Sequence, residues 1–200
     1  IKSGSDYIII WTDDRSSEIQ GLYAQKLNSA DGSSAWSAGG VAVTVVPGKN
    51  VTQATLNPDG SGGAIIACSI NVGTYTKVYA KGLNTNGAFS WNDVNADKST
   101  DYGIALDTYS ANGLRQVTPT LTTVGSSIVA IWSDNRNNIA SDIYDIFGQK
   151  FAIADGTLQW SPDGNAIITA TANQITPTLT SFGDNCSLVW SDLRNGRIDS

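Results

Sequence analysis

Short apolar runs separated by turn residues fill the chain, a pattern that predicts β-strands joined by hairpins. Ser127-Ile-Val-Ala-Ile-Trp132 is one such run, ending on a tryptophan. Leu22-Tyr-Ala-Gln-Lys-Leu27 alternates apolar and polar positions, as a half-buried strand does. The pairs Asp31-Gly32, Asn86-Gly87 and Asp155-Gly156 carry the residues that tolerate positive φ in a tight hairpin. Thr118-Pro-Thr-Leu121 predicts a further strand. Its proline has no N–H, so it must begin the strand or face an unpaired side.

These elements recur in a fixed order. Trp11-Thr-Asp13-Asp-Arg15 returns as Trp132-Ser-Asp134-Asn-Arg136 and as Trp190-Ser-Asp192-Leu-Arg194. A degenerate copy, Ala64-Ile-Ile-Ala-Cys68-Ser, puts Cys68 where the tryptophan belongs. Val78-Tyr-Ala-Lys-Gly-Leu83 and Asp145-Ile-Phe-Gly-Gln-Lys-Phe151 repeat the alternating strand, and Trp36, Trp91 and Trp160 follow the three hairpin turns. Gln53-Ala-Thr-Leu56 and Thr176-Pro-Thr-Leu179 match the Thr-Pro-Thr-Leu run. Four antiparallel strands in about 60 residues fit one blade of a β-propeller. The expected fold is therefore all-β, a propeller segment of about three and a quarter four-stranded antiparallel blades. Their bounds are approximately 1–50 (partial), 51–113, 114–172 and 173–200 (partial). Because a closed propeller uses about 4–8 blades, the segment is expected to be a window of a longer chain.

Composition narrows the chemistry. The 200 residues contain no His, which removes Ser–His–Asp and Cys–His catalysis and His-ligated metals. The acids are 17 Asp and one Glu, Glu18, so any pair of catalytic carboxylates must draw chiefly on Asp. Twelve Lys and Arg against 18 acids give a net charge of −6, which disfavours a phosphate backbone as partner. No apolar run approaches the roughly 20 residues of a membrane-spanning helix. Cys68 and Cys186 sit inside apolar runs and are expected to be buried thiols, on strands two blades apart and out of disulfide reach.

The series W-x-D-x-R, I/L-Y-A-Q-K/R, D-G-x-x-x-W, G-V-A-V and D-G-x-G-G-A-I resembles the repeat of a broad group of secreted bacterial β-propeller proteins. Asn57-Pro-Asp59-Gly60-Ser-Gly62-Gly63-Ala-Ile-Ile66 carries its glycine-rich part. The resemblance covers essentially the whole chain and implies architecture, export and a cell-surface or extracellular location, with no assigned activity. It extends distantly to sialidase-like propellers. Arg15, Arg136 and Arg194 come from successive blades, as in an arginine triad that grips a carboxylate. Ser29-Ala-Asp31-Gly32 looks like a shortened Asp-box. Neither comes with an assignable Tyr–Glu nucleophile pair.

Two readings compete at each candidate position. The six tryptophans could stack on sugars, or seal each blade against its neighbour, and their phase with the repeat favours sealing. The Asp of each W-x-D-x-R could face a ligand, or accept N–H bonds in its own turn and pair with its Arg; the second is expected. One stretch breaks the repeat: eleven residues separate Trp91 from Gly103, against three between Trp160 and Gly164. Asp93, Asn95, Asp97, Ser99 and Asp101 place oxygen-bearing side chains at every second position, as at the start of an EF-hand-type calcium loop. Lys98 replaces its glycine and Ile104 its bidentate Glu, so a solvated polar loop explains the stretch as well. Calcium is thus the only cofactor suggested.

For function, the expectation is a non-enzymatic extracellular or cell-surface scaffold of a secreted bacterial protein, binding protein or glycan through its loop face. The alternative is a polysaccharide-active hydrolase or lyase of sialidase-like architecture. Partners are then a protein or glycan ligand and further blades, from the same longer chain or a neighbouring subunit.

Overall fold

A computed structural model describes residues 1–15, 20–91 and 102–194. Three four-stranded antiparallel sheets and one two-stranded sheet follow each other along the chain. The first holds β1 (Lys2–Ser3), β2 (Asp6–Asp13), β3 (Gly21–Leu27) and β4 (Val41–Thr44). The second holds β5 (Asn50–Pro58), β6 (Ala64–Asn71), β7 (Thr76–Leu83) and β8 (Ile104–Ala105). The third holds β9 (Gln116–Val124), β10 (Ser127–Asp134), β11 (Asp145–Ala152) and β12 (Asn165–Ile168). The last holds β13 (Gln174–Phe182) and β14 (Asn185–Asp192). Within each sheet the strands lie side by side in chain order, and β5, β9 and β13 face one another from successive sheets. This is a segment of a β-propeller built from four-stranded antiparallel blades, with those three as inner strands.

The first blade differs from the sequence pattern in one strand. It was expected to be partial, but Gly4, at φ 64°, turns Lys2 and Ser3 back onto Tyr7 and Asp6 as β1 and gives it four strands.

Period-two alternation explains the packing of the blades. Along β6, Ala64, Ile66, Cys68 and Ile70 pack with Ile8, Leu22 and Val43 of the first blade. Ile65 and Ala67 point the other way, onto Ile128, Ala130 and Trp132 of the third. Along β10 the residues between these, Val129 and Ile131, meet Leu179, Leu188 and Trp190 of the last sheet. A central blade strand is thus buried on both faces, which is why its run reads as continuously apolar.

The tryptophans after the hairpins latch each seam. Trp36 is buried, and its indole N–H donates to the Thr85 carbonyl of the second blade at 3.0 Å. Trp91 repeats the contact one blade on, donating to the Ile153 carbonyl at 2.9 Å. The expected sealing role holds for both.

Proline placement is also explained. Pro119 lies inside β9, where Thr118 and Pro119 stand against Trp132 alone in a β-bulge, so no ladder hydrogen bond is lost. Thr176 and Pro177 stand in the same way against Trp190. Thr118 and Thr176 both take left-handed backbone angles, φ 53° and 52°, which β-branched residues rarely adopt. Gln53 of the second blade supports the first of them, its Oε1 accepting the Thr118 N–H at 2.6 Å.

Candidate functional site

The turns from β2 to β3, β10 to β11 and beyond β14 carry the W-x-D-x-R copies, and strands β5, β9 and β13 begin at the same end of the blades. Each Asp closes its own turn. Asp13 Oδ1 accepts the Arg15 N–H at 2.8 Å, Asp134 Oδ1 the Arg136 N–H at 2.8 Å, and Asp192 Oδ1 the Arg194 N–H at 3.0 Å. Each also pairs with the guanidinium of its Arg. Hydrogen bonds from these arginines hold the Asp13 and Asp192 carboxyls at about 2, well below the usual carboxylate range. The guanidinium then bridges to the loop before the fourth strand, Arg15 to the Gly39 carbonyl at 2.7 Å and Arg136 to that of Asp163 at 2.6 Å. It lies over the aromatic ring of the third strand, 4.2 Å from Tyr23 and 4.1 Å from Phe147. Each of the three arginines is therefore committed to the Asp of its own turn, and they do not form the triad that the sialidase resemblance implies. Asp31 likewise serves its hairpin: Oδ1 accepts the Ser33 N–H at 2.9 Å and its hydroxyl at 2.7 Å.

Between the second and third blades this turn is drawn into a buried ionic network, which the sequence pattern does not reveal. Asp107, beyond β8, accepts hydrogen bonds from Arg136 and Gln116, and Lys77 lies 3.1 Å from its Oδ1. Gln116 also donates to Asp134 Oδ2 at 3.0 Å, as does the Trp132 indole at 2.9 Å. The side chains of Asp107 and Asp134 are wholly buried, and those of Arg136 and Lys77 nearly so. Burial pushes the Asp107 carboxyl up, against the pull of Arg136 and Lys77. Two cations and two anions closed to water suit a structural clamp; they cannot meet a polymer.

Solvent-accessible chemistry lies beside that clamp. An open groove of about 380 Å³ runs along the seam between the second and third blades, lined by Gln53, Asn71, Tyr75, Arg115 and Tyr144 among others. A second hollow, about 530 Å³, lies by the 3₁₀ turn Ile139–Ser141 and is lined by Asn137, Asn138, Asp145 and Thr171. Apart from Gln53 and Asp145 these residues lie outside the repeat motifs, and pattern alone does not bring any of them together.

The calcium ligands proposed from spacing, Asp93, Asn95, Asp97, Ser99 and Asp101, lie outside the described residues, as does Glu18. Among the described residues no group of three or more acidic or thiol side chains is placed to hold a metal ion. No helix there is long and apolar enough to cross a membrane. The cysteines are both free. Cys68 is buried as expected, but Cys186 is exposed, because β14 has only β13 beside it among the described residues.

No protein-family model matches the sequence, and no curated protein matches it. Solved structures do match the fold. A thermostable family-43 glycoside hydrolase aligns with TM-score 0.55 at 12% identity, over 95% of this chain and 63% of that one. An endo-arabinase from Bacteroides thetaiotaomicron VPI-5482 aligns with TM-score 0.53 at 13% identity, over 99% and 75%. An α-L-arabinanase from Penicillium chrysogenum, solved with arabinobiose, aligns with TM-score 0.58 at 13% identity, over 96% and 54%. This chain thus spans about half to three quarters of their lengths, and at such identity the likeness is one of fold. The expectation of a non-enzymatic scaffold is corrected here, since the solved structures that share this architecture are glycoside hydrolases.

Proposed function

We propose that this propeller segment belongs to a polysaccharide-active enzyme, a hydrolase or lyase, and contributes to the face on which the polymer lies. The observation that carries the reading is the shared fold with glycoside hydrolases over nearly the whole chain. The groove at the seam of the second and third blades supports it, because it is solvent-accessible and lined by the amide, hydroxyl and aromatic side chains that sugars meet. Glycoside hydrolysis runs on two carboxylates, one as acid and one as base or nucleophile, and needs no histidine. A chain with 17 Asp and no His is compatible with that chemistry and with few others. Asp13 and Asp192, kept ionised by their arginines, cannot be the acid, and Asp134 is buried out of reach of a polymer.

Export to the cell surface or medium belongs to the same reading, since an enzyme must reach its polymer outside the cell. Further blades would pack on the last sheet, where Phe182 and Val189 are 57% and 68% exposed. Incubation of the full-length protein with a panel of plant and bacterial polysaccharides tests the proposal. New reducing ends or unsaturated products support it; neither product formation nor binding to any member of the panel overturns it.

A further inference from the structure

We propose that the seam groove between the second and third blades binds a carboxylated sugar, a uronate unit of the polymer; this rests on the polysaccharide reading above. The polar groups left uncommitted in the groove are mostly donors. Gln53 Oε1 accepts the Thr118 N–H at 2.6 Å and Asn71 Oδ1 the Gly73 N–H at 3.0 Å. Both amide orientations are thereby fixed, and each leaves its NH₂ group for a ligand. The Arg115 side chain is 59% exposed, with Asp142 3.5 Å away as its ion-pair partner. The ammonium of Lys49 reaches the same rim, 3.8 Å from where a side chain on Gly73 would start. Two cations and one anion make the groove locally basic in a chain of net charge −6. Two amide NH₂ groups, a guanidinium and an ammonium match the acceptor-only carboxylate better than a neutral hydroxyl, which must also donate.

The groove is also built in advance. The Thr76 N–H donates to the Leu114 carbonyl at 2.8 Å and the Gly113 N–H to that of Thr74 at 2.9 Å, joining its two walls. The Asn135 side-chain amide donates to Asp142 Oδ1 at 3.0 Å, which holds the Asp142–Arg115 pair in place. Tyr75 and Tyr144 supply ring surface for the apolar face of a sugar. Little ordering is then left for binding to accomplish.

Calorimetric titration of the full-length protein with uronate oligosaccharides, and with the same oligosaccharides methyl-esterified, tests the assignment. Esterification removes the charge and keeps the sugar. The expected result is about tenfold weaker binding of the ester, and loss of that preference in Arg115→Gln and Lys49→Gln, whose side chains stabilise no core. Binding of the acid should weaken as salt rises. Equal affinity for acid and ester, or a preference unchanged in both variants, overturns the groove assignment while the enzyme reading stands. Hydrolysis or binding confined to uncharged polymers does the same. No binding to any polysaccharide overturns both.

Discussion

Tyr102 lies against Tyr79 with ring centroids 5.1 Å apart and planes tilted by 39°, and packs onto the cluster that holds Cys68, in the blade that lacks a tryptophan. In the other blades that position faces the same aromatic: Trp11 pairs with Tyr23, and Trp132 with Phe147. In the second blade Cys68 pairs with Tyr79, and the tyrosine that follows the insertion supplies the missing ring. Tyr102→Ala should therefore cost about 1–3 kcal/mol. Adding Cys68→Trp should recover part of that loss, whereas Cys68→Trp alone should overpack the seam. Urea denaturation of the three variants measures this; additive effects would show that the two sites do not share one space.

Thiol reactivity should differ sharply between the two cysteines. Burial pushes the Cys68 thiol up to about 12 and closes it to reagents, while Cys186 is exposed. Alkylation of the native protein should add one label, at Cys186, and alkylation after denaturation two, with or without reductant. Two rapid labels in the native state would place Cys68 in the wrong register.

A buried and an exposed ion pair should give very different mutational outcomes. Asp107→Ala leaves Lys77 buried without its carboxylate and Arg136 with Asp134 alone, and should cost about 3–5 kcal/mol. Arg15→Ala breaks an Asp–Arg pair at an exposed position, and should change the thermal midpoint far less. Comparable losses from both would argue that burial does not set the strength of these pairs.

Acid should weaken the turns in a defined window. The Asp13 and Asp192 carboxyls sit at about 2, below the ordinary 3.8, so they stabilise the fold above that ordinary value. Their contribution is lost as pH falls from about 4 towards 2. Asp107 acts in the opposite sense, since its raised folded value makes protonation in the native state easier. The Asp13→Asn variant should show a shallower loss of stability than the parent across pH 4 to 2. Identical slopes would remove Asp13 from the acid response.

The blade pattern was legible because each element repeats its chemistry: the Asp-Gly turns, the apolar run into Trp, and the Asp and Arg two residues apart. Even the role of the Asp could be read, since Asp13, Asp134 and Asp192 do accept the N–H two residues on. What could not be read are contacts between residues distant in sequence and outside the repeat. Asp107 meets Arg136 and Gln116 only because two blades fold together. Gln53 lies in β5 and Asn71 ends β6, whereas Arg115 and Tyr144 stand just before β9 and β11, and the four share no spacing. The exposure of Cys186 escaped for a related reason: an apolar run shows that a strand can be covered, and burial depends on what stands beside it.

The seam latches bear on how such a chain can diverge after its blades are duplicated. Trp36 and Trp91 both donate to main-chain carbonyls, those of Thr85 and Ile153. Every residue type carries that acceptor, so the receiving position can drift from a polar to an apolar side chain while the joint is kept. A latch read through the backbone can be inherited by each new copy from one side alone. Blades joined in this way should remain exchangeable long after their other residues have ceased to match.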